Sequence, residues 1–343
     1  MARSTTLLPK AVDLDMARLL ERVALAIGSL DSAVSGDFLH QIWRERASWI
    51  GYARALQLQS VELDEIDVIS WATATPIPGR ARFDTLVDPF DAFDPWTAML
   101  SEREQRHWRE DLPFTLQIPV GFSDAPLILR AIAILGQHAQ ATGDISPWLS
   151  FPLLLARMGL TKTPLPCLVA GDKAMRLAPR DATPFVRRVL RDLAGQAEDG
   201  LAAAFELDAE RRRWIKLLGE ARKPGALRAL AAMSLREPIL RPQQVARTLG
   251  LSRSGAGKLL DRAAEQGLLL EISGRLSWRV YMAPGLARRL RLTAPRQGRP
   301  AAPPALPARD ELGASLAAFD AEMAAFAARY PQASRSAPPS DAD

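Results

Sequence analysis

The chain has 343 residues with 44 Lys plus Arg against 39 Asp plus Glu, a net charge of +5, and 48% of it is hydrophobic. That length allows two or three domains with a sizeable core, and a single cysteine, Cys167, excludes a disulfide framework and a cysteine-based metal site. His40, His107 and His138 share no ligand spacing on one helix, and Arg130 and Arg157 interrupt the two most apolar runs. Residues 1–15 lack the apolar stretch and cleavage site of a secretion signal. These features lead to the expectation of a cytoplasmic protein with no metal, no cofactor and no membrane contact.

Residues 1–11 read as a flexible N-terminus and 12–220 as a helical domain with Pro-rich connections. Val12 to Ile27 carries an apolar stripe of Leu19, Leu20, Val23 and Ile27 at helical spacing. Asp37 to Leu56 forms a longer helix with Trp43, Trp49 and Tyr52, and Glu62 to Trp71 a short one with Leu63, Ile66 and Ile69 inward. Residues 75–95 read as a loop in which Gly79, Arg80 and Arg82 could form a basic spot. A helix is expected from Pro95 to about Asp111. Asp124 caps another that runs through Ala141, and Pro147 opens one through Met158. Thr183 to Leu207 and Asp208 to Leu218 complete the series as two helices. Seven of the eight tryptophans are spread through this body, and core packing with paired indole N–H groups is the expected role.

Residues 221–292 carry the strongest signal. Pro242 suits the first position of a helix because it has no N–H to leave unpaired. Gln243 to Leu249 then makes two turns with Val245, Ala246 and Leu249 inward, and Gly250 permits the left-handed stop. Ser252 is a good N-cap for a second helix from Arg253 to about Gln266, ended by Gly267. Ala256, Leu259, Leu260 and Ala263 form its inner stripe, and Arg253, Ser254, Gly255, Gly257, Lys258, Asp261 and Arg262 its outer face. Leu268 to Ile272 and Arg275 to Tyr281 read as a hairpin turned at Ser273-Gly274, with Leu276, Trp278 and Val280 toward the helices and Arg275, Ser277 and Arg279 outward.

This is the pattern of a winged helix-turn-helix, whose second helix lies in the major groove of DNA. Between Arg222 and Arg299 there are 16 Lys plus Arg against 4 Asp plus Glu, net +12; the remainder holds 28 against 35, net −7. A basic module on an acidic body is an electrostatic footprint suited to a polyanion. Gln243, Ser252, Arg253, Ser254, Gly255, Gly257, Lys258 and Arg262 are the expected contacts to double-stranded DNA, with Arg275 and Arg279 on flanking phosphates. The expected fold class is mainly α, a helical body followed by a winged helix-turn-helix with a β-hairpin wing. The expected function is transcriptional regulation.

Two resemblances bear on the body. The stretch APLILRAIAILGQHAQATGDISPWLSFPLLLARMGLTKTPLPCL (125–168) resembles the core of the Fic family, helical enzymes that transfer nucleotide or phosphate groups to hydroxyls. The family's His-Pro-Phe and Gly-Asn-Gly-Arg signature is absent from His138 to Asp144, so the resemblance implies a Fic-like scaffold without transferase activity. Over about 30–290 the chain is similar to an uncharacterised bacterial family that joins a helical region to a C-terminal helix-turn-helix. WRERASWIGYARALQLQ, TPLPCLVAGDKAMRLAPR and the Gly274-Arg275…Arg279-x-Tyr281 pattern carry that similarity. It implies DNA binding. The alternatives are a diverged Fic-type nucleotidyl- or phosphotransferase, with His138 as a relocated base, and a plasmid-maintenance or antitoxin-like interaction module.

Other groupings read more plainly. Glu62, Asp64, Glu65 and Asp67 form a solvated acidic face. Gly255-x-Gly257-Lys258 lacks the strand and spacing of a phosphate loop. Asp172, Lys173, Arg176 and Arg180 read as surface. Residues 293–309 are a Pro/Ala-rich linker and 331–343 a disordered tail. Between them, over 310–330, Leu312, Leu316, Phe319, Met323 and Phe326 form a short heptad seam that could pair two copies of the chain as a homodimer or dock on the body.

Overall fold

A computed structural model describes residues 7–9, 11–35, 38–77, 88–102, 107–110, 112–177, 181–222, 224–274, 278–292 and 321. The fold is mainly α: the described residues hold eleven α-helices, one 3-10 turn and three two-residue strands. Residues up to Pro295 form one compact unit. Arg275, the basic spot at 79–82, Arg180 and the tail seam lie outside the described residues.

The body begins with α1 (Leu14–Ala33), capped by the Asp13 carboxylate, which accepts from the Met16 amide at 2.9 Å. Its buried stripe of Met16, Val23, Ile27 and Leu30 packs on α7 (Thr183–Glu220), which answers with Val186, Val189, Leu190, Leu193 and Ala197. Between them in sequence come α2 (Phe38–Leu58), α3 (Glu65–Ala72), α4 (Phe93–Ser101), α5 (Leu127–Ala141) and α6 (Ser146–Arg157). α5 is buried on nearly every side, which matches its apolar sequence. Close approach explains two glycines. A Cβ on Gly51 of α2 would strike the Pro166 carbonyl oxygen at 2.0 Å, and one on Gly200 of α7 would meet Cys167 Sγ at 2.8 Å. Cys167 is fully enclosed and burial pushes its thiol up to about 12, so it is an inert core residue.

Several expectations are corrected. Residues 183–218 form one helix of 38 residues rather than two. Asp208, where a break was expected, instead receives Arg211 and Arg212 from the following turn. The helix expected from Asp124 starts at Leu127 after Pro126, and Asp124 does not cap it. The helix at Pro95 ends at Ser101. Trp43 and Trp96 are buried with their indoles donating to Gly200 and Leu149 carbonyls, at 3.0 and 2.7 Å, but Trp148 and Trp214 are buried with no hydrogen-bond partner. Glu65 is not solvated, because it is largely enclosed and pairs with Arg289.

The C-terminal part follows α7 through α8 (Ala226–Arg236), β1 (Ile239–Leu240), α9 (Pro242–Leu249), α10 (Arg253–Glu265), β2 (Leu270–Glu271), β3 (Tyr281–Met282) and α11 (Pro284–Arg289). β3 lies between β1 and β2, antiparallel to both, with Tyr281 opposite Leu240 and Glu271. One core joins Leu230, Leu240, Val245, Ala256, Leu260, Ala263 and Tyr281 to Trp214 of α7. Ile239, Met282 and Leu286 belong instead to the core of the body. Arg46 of α2 ties the two parts together. It donates to the Ser234 and Leu235 carbonyls at 3.2 and 2.7 Å and pairs with the buried Glu210 of α7 at 3.4 Å.

Candidate nucleic-acid interface

Local rules build α9 and α10. Pro242 opens α9, and Gly250 closes it in the left-handed region at φ 64°, so that the Leu251 amide reaches back to the Ala246 carbonyl at 2.9 Å. The Ser252 hydroxyl accepts from the Gly255 amide at 3.0 Å and starts α10. Gly267, at φ 70°, ends α10 in the same manner, and the Leu268 amide meets the Ala263 carbonyl at 3.0 Å. Ala256, Leu260 and Ala263 are buried against α9 and α8, with Leu259 partly so.

The opposite face of α10 is open. Ser252, Arg253, Ser254, Lys258 and Arg262 are exposed, as are Gln243 and Arg247 of α9; Gly255 and Gly257 are partly covered. A Cβ on Gly257 would meet nothing within 4 Å, so nothing inside the fold requires glycine there. Arg253, Lys258 and Arg262 have no carboxylate partner among the described residues, whereas Arg247 lies within reach of the Glu237 charge. Four arginines of the body differ: Arg22 holds Glu198, Arg54 holds Asp192, Arg187 holds Asp13 and Arg188 holds Asp172. α10 therefore presents three unneutralised cations and two hydroxyls on one surface.

The wing differs from the expectation. Trp278, expected to face the helices, is 61% exposed, whereas Val280 is buried and its carbonyl accepts from the Ile272 amide. Arg279, expected to point outward, turns to α10, where it pairs with Asp261 and donates to the Tyr281 hydroxyl at 3.2 Å. Burial, then the bond to Asp261, pushes that hydroxyl up to about 12, so it keeps its proton and donates to Asp261 at 2.7 Å. Asp261, Arg279 and Tyr281 thus fasten β3 and the residues just before it to α10. No sequence pattern indicates this, since Asp261 and Arg279 are 18 residues apart. Arg247 was also missed, although its place in the last turn of α9 made it legible.

The other groupings are structural. His138 is buried in α5, Nδ1 3.1 Å from Ser150 Oγ and Nε2 3.3 Å from Ser146 Oγ, with Phe114 stacked on its ring at 5.3 Å. Both ring nitrogens thus hold α5 to α6. Asp172 caps the 3-10 turn Lys173–Arg176 and pairs with Arg188, Lys173 reaches Ser60 at 2.8 Å, and Arg176 reaches the Asp144 carbonyl at 2.7 Å. Among the described residues no group of His, Cys, Asp and Glu could hold a metal ion, and no helix is long and apolar enough to cross a membrane. Compared with known proteins, the chain matches no family and no curated protein.

Proposed function

We propose that this protein binds double-stranded DNA through a winged helix-turn-helix and acts as a transcriptional regulator. The observation that carries the reading is the open face of α10, where Arg253, Lys258 and Arg262 stand exposed and unpaired while Arg22, Arg54, Arg187 and Arg188 of the body are engaged by carboxylates. The order helix, strand, helix, helix, strand, strand, with a three-stranded antiparallel sheet, supports it. A recognition helix enters the groove with its N-terminal turn leading. In this chain that turn is Ser252 to Gly255, where Ser252, Ser254 and Gly255 are small enough to allow close approach of the backbone beside Arg253. Cations on phosphates fix register and orientation, and base reading falls to the side chains of the first turns.

The test is an anisotropy titration of the full chain on labelled duplex over a range of salt. Arg253→Ala with Lys258→Ala should weaken binding strongly and reduce the slope of log affinity against log salt by about two units, roughly one per phosphate contact. Equal affinity and slope in the double variant would refute the reading. Gly257→Ala separates fold from binding. It should stabilise the protein by up to about 1 kcal/mol, because alanine is the better helix former, and still lower DNA affinity, because its methyl group would stand between helix and groove.

A further inference from the structure

Helical spacing puts His40, Arg44 and Ser48 on one face of α2. That face lines a broad groove of about 1730 Å³ together with the segment after α6 that includes Thr161 and with Trp71, Phe93 and Met99 of α3 and α4. Arg44 is half-buried, and burial alone lowers its pKa, with no carboxylate acting against it. Among the described residues it has no ion pair, and its Nη2 is enclosed without a hydrogen-bond partner. Thr161 Oγ1 is enclosed and unpartnered in the same way, and the His40 ring lies beside them with the Val34 backbone and the charge of Asp31 acting on it. Asp31, a buried acid that lines the same groove, accepts from the Lys162 amide at 3.1 Å and acts on His40 rather than on Arg44. A desolvated guanidinium without a counter-charge is costly, and orphaned buried polar groups are rare enough to need an explanation.

An anion supplies that explanation. The guanidinium fork matches the oxygens of a carboxylate or phosphate, and an imidazole and a hydroxyl beside it can take the remaining bonds. The adjoining wall is aromatic. Trp71, 37% exposed, stacks on Phe90 at 4.5 Å and meets Phe93 edge-on at 5.4 Å. Asp31, Glu45, Asp94 and Glu102 also line the groove, so like-charge repulsion leaves the anion a place only at the Arg44 guanidinium itself. The volume exceeds the roughly 300–1,000 Å³ of a small-molecule site, so a ligand fills only the Arg44 end and the aromatic wall next to it.

We propose that this groove binds a small organic oxyanion with an aromatic or apolar body, its head held by Arg44 beside His40 and Thr161 and its body against Trp71 and Met99. The site is independent of the DNA-binding reading. The probe is 1-anilinonaphthalene-8-sulfonate, an oxyanion on an aromatic body, with the uncharged N-phenyl-1-naphthylamine as its counterpart. Fluorescence titration of the full chain should show one sulfonate probe per chain and binding of the uncharged probe at least tenfold weaker. Arg44→Gln should weaken the sulfonate probe tenfold or more while melting at the same temperature or higher, since it removes an unpaired cation. Thr161→Val, which keeps the volume, should weaken it two- to fivefold. Displacement by benzoate or by phenyl phosphate then identifies the head group. The proposal is overturned if wild type binds the two probes equally or takes no sulfonate probe, or if neither competitor displaces it. It is likewise overturned if Arg44→Gln stays within twofold of wild type, or if that variant melts several degrees lower, which would make Arg44 a packing residue.

Discussion

The His138 ring lies between two serine hydroxyls and over Phe114, and burial, opposed by the charge of Asp144, holds its pKa below the ordinary 6.5. The unfolded chain therefore takes up a proton as pH falls through 6.5, while the folded chain resists until lower pH. Between those points the unfolded state binds more protons, so stability is full above 6.5 and is lost as pH falls below it. The melting temperature should decline between pH 7.5 and 5.5. His138→Gln should flatten part of that decline while lowering the value at pH 7.5, and an unchanged slope would contradict this account. His40, lowered first by burial and then by the charge of Arg44, leaves a residual slope of the same sign. At this scale local chemistry was legible: Gly250, Ser252 and Gly267 punctuate the chain as their side chains dictate. The partners of Arg279 and Glu65 were not, because those are contacts across 18 and 224 residues.

α10 and the wing behave as one element because Asp261 accepts from both Arg279 and Tyr281. Asp261→Asn removes the charge from that arrangement. The pair is partly exposed, so we expect a loss of about 1 kcal/mol. The clearer readout is hydrogen exchange at the Ile272 amide, which bonds the Val280 carbonyl at 2.9 Å and should exchange faster in the variant. Unaltered exchange there would show that the wing holds without Asp261. Among elements, α9 and α10 were legible because each has a cap, an inner stripe and a glycine stop. α8 was overlooked although Leu227, Leu230, Ala231 and Ser234 recur at helical spacing behind Gly225. β1 was not readable, since two residues cannot display alternation. The continuity of α7 through Asp208 was hidden because the turn-prone aspartate is satisfied by arginines three and four residues on.

Across the molecule the sequence marks a boundary near 220/221, where charge changes sign and α7 ends. The packing does not divide there. Trp214 lies before the boundary and belongs to the core beyond it, together with Leu240, Leu260 and Tyr281. Trp214→Ala should cost about 3–5 kcal/mol, and amides of α8 and α10 should lose more protection than those of α1. Equal loss throughout would mean that the cavity is not felt locally. Burial on both sides of a boundary depends on contacts distant in sequence, so composition could show the change in charge but not the shared core.

The 38 residues of α7 span about 57 Å at 1.5 Å per residue. One end is clamped by α1 and the other by the pocket around Trp214. Over that length a tilt of about 5° about the Val186 end corresponds to about 5 Å at the Glu220 end. That is more than the roughly 3.4 Å between successive base pairs, so under the DNA-binding function proposed above, small adjustments in the helical half would shift the step that Arg253 meets.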